Sequence, residues 1–180
     1  MKKLWSFIKS LIRNFIMACY DSCAILVYDV LESDNLTRYT TVHDLNISST
    51  RPKLLPANLE YILANRKRAI RLAKLKERIE KILGGKITIT SAARSPELNI
   101  AVNGSATSQH VDIDAVDFRP PQGMSKKQAV QLLRDNLDNW GQILLYNTFI
   151  HVSYSRIGIS GRRDLRNEVK KQTSNGFVPI

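Results

Sequence analysis

The chain has 180 residues, 43% of them hydrophobic, with 27 Lys and Arg against 16 Asp and Glu and a formal net charge of +11. That length and apolar content exclude an extended, coreless chain, and one domain with an appendage is the expected organisation. Two cysteines are too few for a structural zinc site built from thiolates. The basic balance points to an anionic partner or surface and does not choose among wall polymer, anionic lipid and nucleic acid.

Residues 1–33 differ from the rest. Leu4, Trp5, Phe7, Ile8, Leu11, Ile12, Phe15 and Ile16 recur at helical spacing, with Lys2, Lys3, Lys9 and Arg13 on the other side. This pattern predicts a basic amphipathic helix, lying on an anionic membrane surface or packed on the domain or a second copy. Lys9, Arg13, Asp21 and Asp29 interrupt every window long enough to span a bilayer. The segment also has no clean signal-peptide core or cleavage site. Cys19 and Cys23 share a helical face and read as two small apolar residues. Ala24–Leu31 extends the helix or forms a strand.

Asp34–Pro56 is rich in Ser, Thr and Asn and reads as a linker leading into a domain over 34–160. His43 lies here as a loop histidine. Leu59, Ile62, Leu63, Ile70, Ala73, Ile79, Ile82 and Leu83 predict one long helix from about Ala57, stopped by Gly84-Gly85. Its outer face carries Arg66, Lys67, Arg68, Arg71, Lys74, Lys76 and Arg78. No aromatic residues interleave with these charges for base stacking, so the stripe reads as solvated and nucleic acid is not the expected partner.

Lys86–Ser91 is a β-branched, alternating strand. Ser95–Gln109 reads as a short helix and a Gly/Ser/Thr loop, and Ala115–Phe118 as the next strand, closed by Pro120-Pro121. Ser125 and Gln128 form a capping box for a helix to about Asn139, with Leu132, Leu133 and Leu137 on its apolar face. Ile143–Leu145 and Phe149–Tyr154 are two further strands. Period two puts Phe149, His151 and Ser153 on one face and Ile150 and Val152 on the other. Residues 161–180 read as a basic tail without fixed order. The sum is an α+β fold, a small antiparallel sheet with flanking helices, preceded by the amphipathic helix.

The chemistry concentrates in SQHVDIDAVD, residues 108–117, and in His151. Two imidazoles and one carboxylate, here His110, His151 and Asp117, are a common catalytic zinc set that leaves a fourth position open. The surrounding text is more specific. Ser91, Arg94, Ser95 and Asn99, then Gly104-Ser105, then Ser108, His110, Ala115 and Asp117, then His151-Val152-Ser153 follow one another in order. This series resembles the zinc D-Ala-D-Ala carboxypeptidase family, which includes phage endolysins that cut peptidoglycan peptides. The resemblance spans roughly Thr37–Ser155. It implies a hedgehog/D-Ala-D-Ala-peptidase-like fold and zinc held by His110, Asp117 and His151. It also implies that Arg94 faces a substrate carbonyl or carboxylate, that Ser108 is a hydrogen-bonding group near the metal, and that the substrate is a peptidoglycan stem peptide in a cell-envelope or phage-associated setting.

Two positions depart from that pattern. Ile113 stands where the family has Gly. No carboxylate lies between Asp138 and His151, where the family places the general base; Tyr146, Asn147 and Thr148 stand there instead. Asp114, Asp112 or Glu97 are the candidate substitutes, and nothing in the sequence selects one; Asp114 stands as the catalytic candidate. The expected function is therefore a zinc peptidase of peptidoglycan. The alternative is an impaired zinc-binding member serving as a wall-binding, virion or membrane-associated structural protein.

Overall fold

The computed structural model describes residues 34–155 and 167–180. The amphipathic segment, both cysteines, Ala24–Leu31 and the first part of the tail lie outside the described residues. Among those described, no helix is long and apolar enough to cross a membrane.

Asp34–Pro56 is more than a linker. Val42–Leu45 forms a one-turn helix (α1) closed by a capping box between Thr41 and Asp44. It buries Val42 and Leu45 completely, together with Leu36. His43 stays exposed on this turn. Apolar residues spaced this sparsely carry no periodic signal, so their burial becomes visible only when a partner surface is present.

The expected single long helix is two, α2 (Leu55–Ala64) and α3 (Arg66–Leu83). Asn65 separates them at φ −109°, ψ 32°. Its Nδ2 donates to the Tyr61 carbonyl four residues back (2.9 Å), the competition with the backbone that makes Asn unfavourable inside helices. Gly84 ends α3 in the left-handed region at φ 68°, as the Gly-Gly pair predicts. The basic stripe on α3 is only partly solvated. Lys76 is buried, 3.2 Å from Glu80, and Arg66 donates to the Asn35 carbonyl (2.6 Å).

Beyond α3 come β1 (Thr88–Ser91), α4 (Pro96–Ala101), β2 (Ala115–Arg119), α5 (Lys126–Asn136), β3 (Trp140–Leu145), β4 (Ile150–Tyr154), β5 (Glu168–Thr173) and β6 (Gly176–Pro179). Ser125 and Gln128 close the predicted capping box at α5. The sheet runs β1-β2-β4-β3-β5-β6. It is larger than expected and not wholly antiparallel, because β5 pairs parallel with β3. Residues 168–179 are thus strands rather than an unordered tail. Their lysines hide the strand signal, since an edge hairpin keeps its outer face in water.

One face of the central strands is apolar. Val116, Phe118, Ile143, Leu145, Ile150 and Val152 join Leu72, Leu75, Ile79 and Leu133 in one core. The helix α3 packs against α5 and β2, and α5 against β3. The opposite face carries the polar groups. Asp117 pairs across the ladder with His151 and with Ser91, and Ala115 with Ser153. Directly opposed residues share a face, so the alternation that buries Ile150 and Val152 puts Asp117, His151 and Ser153 together.

Candidate metal centre

The loop between α4 and β2 delivers His110. Asn99, buried at the end of α4, donates from Nδ2 to the Ser105 carbonyl (2.9 Å) and accepts the Gly104 N–H at its own carbonyl (2.8 Å). A Cβ on Gly104 would lie 2.0 Å from Asn99 Oδ1, so only glycine fits beside it. The Asn and the Gly-Ser pair of the sequence pattern therefore form one clamp. After it, the Ser108 hydroxyl accepts the His110 N–H (3.3 Å), and the His110 carbonyl accepts the N–H groups of Arg94 (3.0 Å) and Ile113 (3.2 Å). Ser108 thus caps the turn under His110 and is absent from the groove lining.

Ile113 keeps the left-handed backbone that its glycine counterpart would adopt freely, with φ 56°. A β-branched residue there costs about 1–2 kcal/mol. Its side chain is fully buried in the core, and this burial, worth roughly 1.5–3 kcal/mol, offsets the strain. The turn survives the loss of glycine because the core holds the residue that replaces it.

His110, Asp117 and His151 converge. Their candidate ligand atoms all lie within 4.8 Å of one another and all three residues are buried. The rings meet edge to face, 5.2 Å between centroids. His110 Nδ1 lies 2.6 Å from the Ala92 carbonyl, which can only accept, so Nδ1 carries the proton and Nε2 is the free ligand atom. His151 Nε2 lies 2.9 Å from Gln109 Oε1. The Gln109 amide is oriented in turn by donating from Nε2 to the Ser153 hydroxyl (2.8 Å), so Oε1 accepts from His151 and leaves Nδ1 free.

Both free nitrogens face one carboxylate: His110 Nε2 is 3.2 Å from Asp117 Oδ2 and His151 Nδ1 is 2.8 Å from Oδ1. Lone pairs facing a carboxylate in a buried site need a proton or a metal cation between them. Tetrahedral zinc at ordinary bond lengths would separate its ligand atoms by about 3.3 Å, so the donor set fits that ion in chemistry and spacing.

Electrostatics agree. Burial pushes the His110 pKa down and favours the neutral, ligating ring. Burial alone would raise Asp117, but the His110 and His151 rings outweigh it and hold the carboxyl well below the usual range. Arg94 adds its guanidinium, donating from Nε to the Ser91 hydroxyl (2.8 Å) and reaching Asp117 Oδ2 at 3.3 Å. Burial lowers the Arg94 pKa, and Asp117 opposes that shift.

Beside this cluster lies a groove of about 490 Å³, lined by Ser48–Thr50, β1, Arg94, Asp117, Arg119, Thr148 and Phe149 among others. Asp117 is the only carboxylate among the described residues that line it. Asp114 does not reach it. Three positions before Asp117 on the same run, its buried carboxylate accepts from Arg71 of α3 and is held on the helix side as an ion-pair partner. Asp112 is buried outside the groove lining. Glu97 is exposed at the start of α4, where its own backbone N–H and the Ser95 hydroxyl lower its pKa.

Tyr146 occupies one of the positions before His151 where the resemblance implies a base. It stacks on Phe149 with ring centroids 4.3 Å apart. Burial raises its pKa and the Asp117 charge raises it further, so the phenol is a proton-holding donor at neutral pH. Gln109 belongs to no motif of the sequence pattern. Its only local signal is its place next to the first histidine, since its partners His151 and Ser153 are more than forty residues away.

A family model described as Peptidase M15 matches residues 52–153. No curated protein and no solved structure matches the chain.

Proposed function

The chain belongs to the M15 peptidase family, the zinc D-Ala-D-Ala carboxypeptidase type, and from that premise we propose that it is a zinc metallopeptidase hydrolysing peptide bonds of bacterial peptidoglycan. The observation that carries the reading is the pair of free imidazole nitrogens turned onto the Asp117 carboxylate beside a groove. His110 Nε2, His151 Nδ1 and the Asp117 carboxylate would hold the ion. Bound there, zinc would supply Lewis acidity at the scissile carbonyl and an acidified water.

The protein's own part is orientation and charge. Ala92 and Gln109 fix the two ring tautomers, which sets the ligand directions. Arg94, held by Ser91, offers a rigid fork to a substrate carbonyl or carboxylate oxygen and balances Asp117. The Tyr146 phenol can donate a hydrogen bond but cannot accept a proton as a carboxylate would.

The test is digestion of purified peptidoglycan by the zinc-loaded chain, followed by mass spectrometry, with His151→Ala as control. A peptide product that vanishes in the variant is expected, and its mass names the bond. A second reading rests on the groove having no carboxylate besides Asp117 among the described residues: a zinc-binding member that holds wall peptides without cutting them. Stoichiometric zinc with no product would select it. For residues 1–31 the sequence pattern supports attachment to an anionic membrane, and deletion of that segment should abolish flotation with anionic vesicles.

A further inference from the structure

Arg119 ends β2 two residues beyond Asp117, and strand alternation puts both on the same face. It lines the same groove, opposite Thr88 in the β1–β2 ladder. Its side chain is exposed, and among the described residues it has no ion-pair or hydrogen-bond partner. The other guanidinium of the groove, Arg94, is already matched by Asp117. Among the described residues the groove therefore holds two arginines against one carboxylate, and that carboxylate belongs to the candidate metal centre. A concave site with one unmatched cation concentrates anionic ligands.

From this we infer that Arg119 is a specificity-determining residue which binds a free carboxylate of the peptide substrate. The inference rests on the peptidase reading for the identity of the ligand and on the groove for its charge. Two residues of strand cover about 7 Å, the same advance as two residues of an extended peptide. The recognised carboxylate thus lies within about two residues of the bond at the metal centre, on the β1–β2 side. A neutral peptide of the same length would leave Arg119 without a counter-charge.

The experiment uses the zinc-loaded full chain and three synthetic stem pentapeptides, L-Ala-γ-D-Glu-L-Lys-D-Ala-D-Ala. One is unmodified, one carries an amide at the D-Glu α-carboxyl, and one carries an amide at the C-terminus. Binding is read by calorimetry and cleavage by mass spectrometry in parallel. Wild type should bind the unmodified peptide about tenfold more tightly than one of the two amides, the size of a charge-assisted hydrogen bond. Arg119→Gln should erase most of that preference, while Arg119→Lys keeps much of it.

Equal binding of all three peptides by wild type, no binding of any, or an unchanged preference in Arg119→Gln would each overturn the inference. The two proposals fail separately. Cleavage without carboxylate preference removes the role of Arg119 and leaves the peptidase. Preference without cleavage of peptide or peptidoglycan keeps Arg119 and removes the peptidase.

Discussion

The two faces of β2 carry opposite chemistry on adjacent residues. Val116 and Phe118 are fully buried against the helices, while Asp117 and Arg119 face the metal centre and the groove. Two aspartates make the contrast sharper. Asp117 meets both histidines; Asp114, an odd number of residues away, meets Arg71 of α3. The apolar face supplies the rigidity that lets the polar face hold three buried ligand groups in one place, while Asp114, just before β2 begins, leaves the chain toward α3.

The largest test removes the support. Phe118→Ala should cost about 3–5 kcal/mol of folding stability, measured by urea unfolding, because a fully buried aromatic is replaced by a cavity. A loss near zero would mean the faces are not distinct. Next in size is the ligand face itself. Asp117→Asn should lower zinc affinity by about 100-fold or more in a chelator competition, with much less effect on the unfolding of metal-free protein than Phe118→Ala has. Asp114→Asn should behave in the opposite sense. It should destabilise by about 1–3 kcal/mol through loss of the partly exposed Arg71 pair and leave zinc affinity unchanged. Weaker zinc binding in Asp114→Asn would return that residue to the site.

A smaller effect is expected at Gln109. Replacing it by Ala should weaken zinc binding by roughly tenfold, and Gln109→Glu, which keeps an acceptor for His151 Nε2, should recover most of the loss. Loss without recovery would point to packing instead of ring orientation.

The smallest test is pH. In metal-free protein the folded His110 pKa lies below its unfolded value, so this contribution is whole above about 6.5 and shrinks as pH falls below it. Asp117 is also lowered, so its contribution is whole above about 3.9 and is lost on further acidification. Unfolding free energy should therefore fall as pH drops from 7, and Asp117→Asn should flatten the most acidic part of the curve. A stability that rises on acidification would contradict both directions.

Much of this was legible in the chain. The order of Ser91, Arg94, Asn99, Gly104, His110, Asp117 and His151 is a local text, and a family model over residues 52–153 reads the same stretch. Period two over residues 150–154, one residue shorter than expected at its start, the Ser125–Gln128 capping box and the Gly84 stop are also local, and each is present. These features depend on neighbours within a few positions, where side-chain direction and backbone propensity act directly.

Tertiary structure decided the rest. The burial of Leu36, Val42 and Leu45, the pairing of β5 with β3, the Arg71–Asp114 contact and the Gln109–His151 bond all join residues far apart in the chain. The order of residues determines which groups are present and, along residues 150–154, which strand face each takes. Only the folded chain chose their partners, because the free energy of a charge or a lone pair depends on what is brought within a few ångström of it.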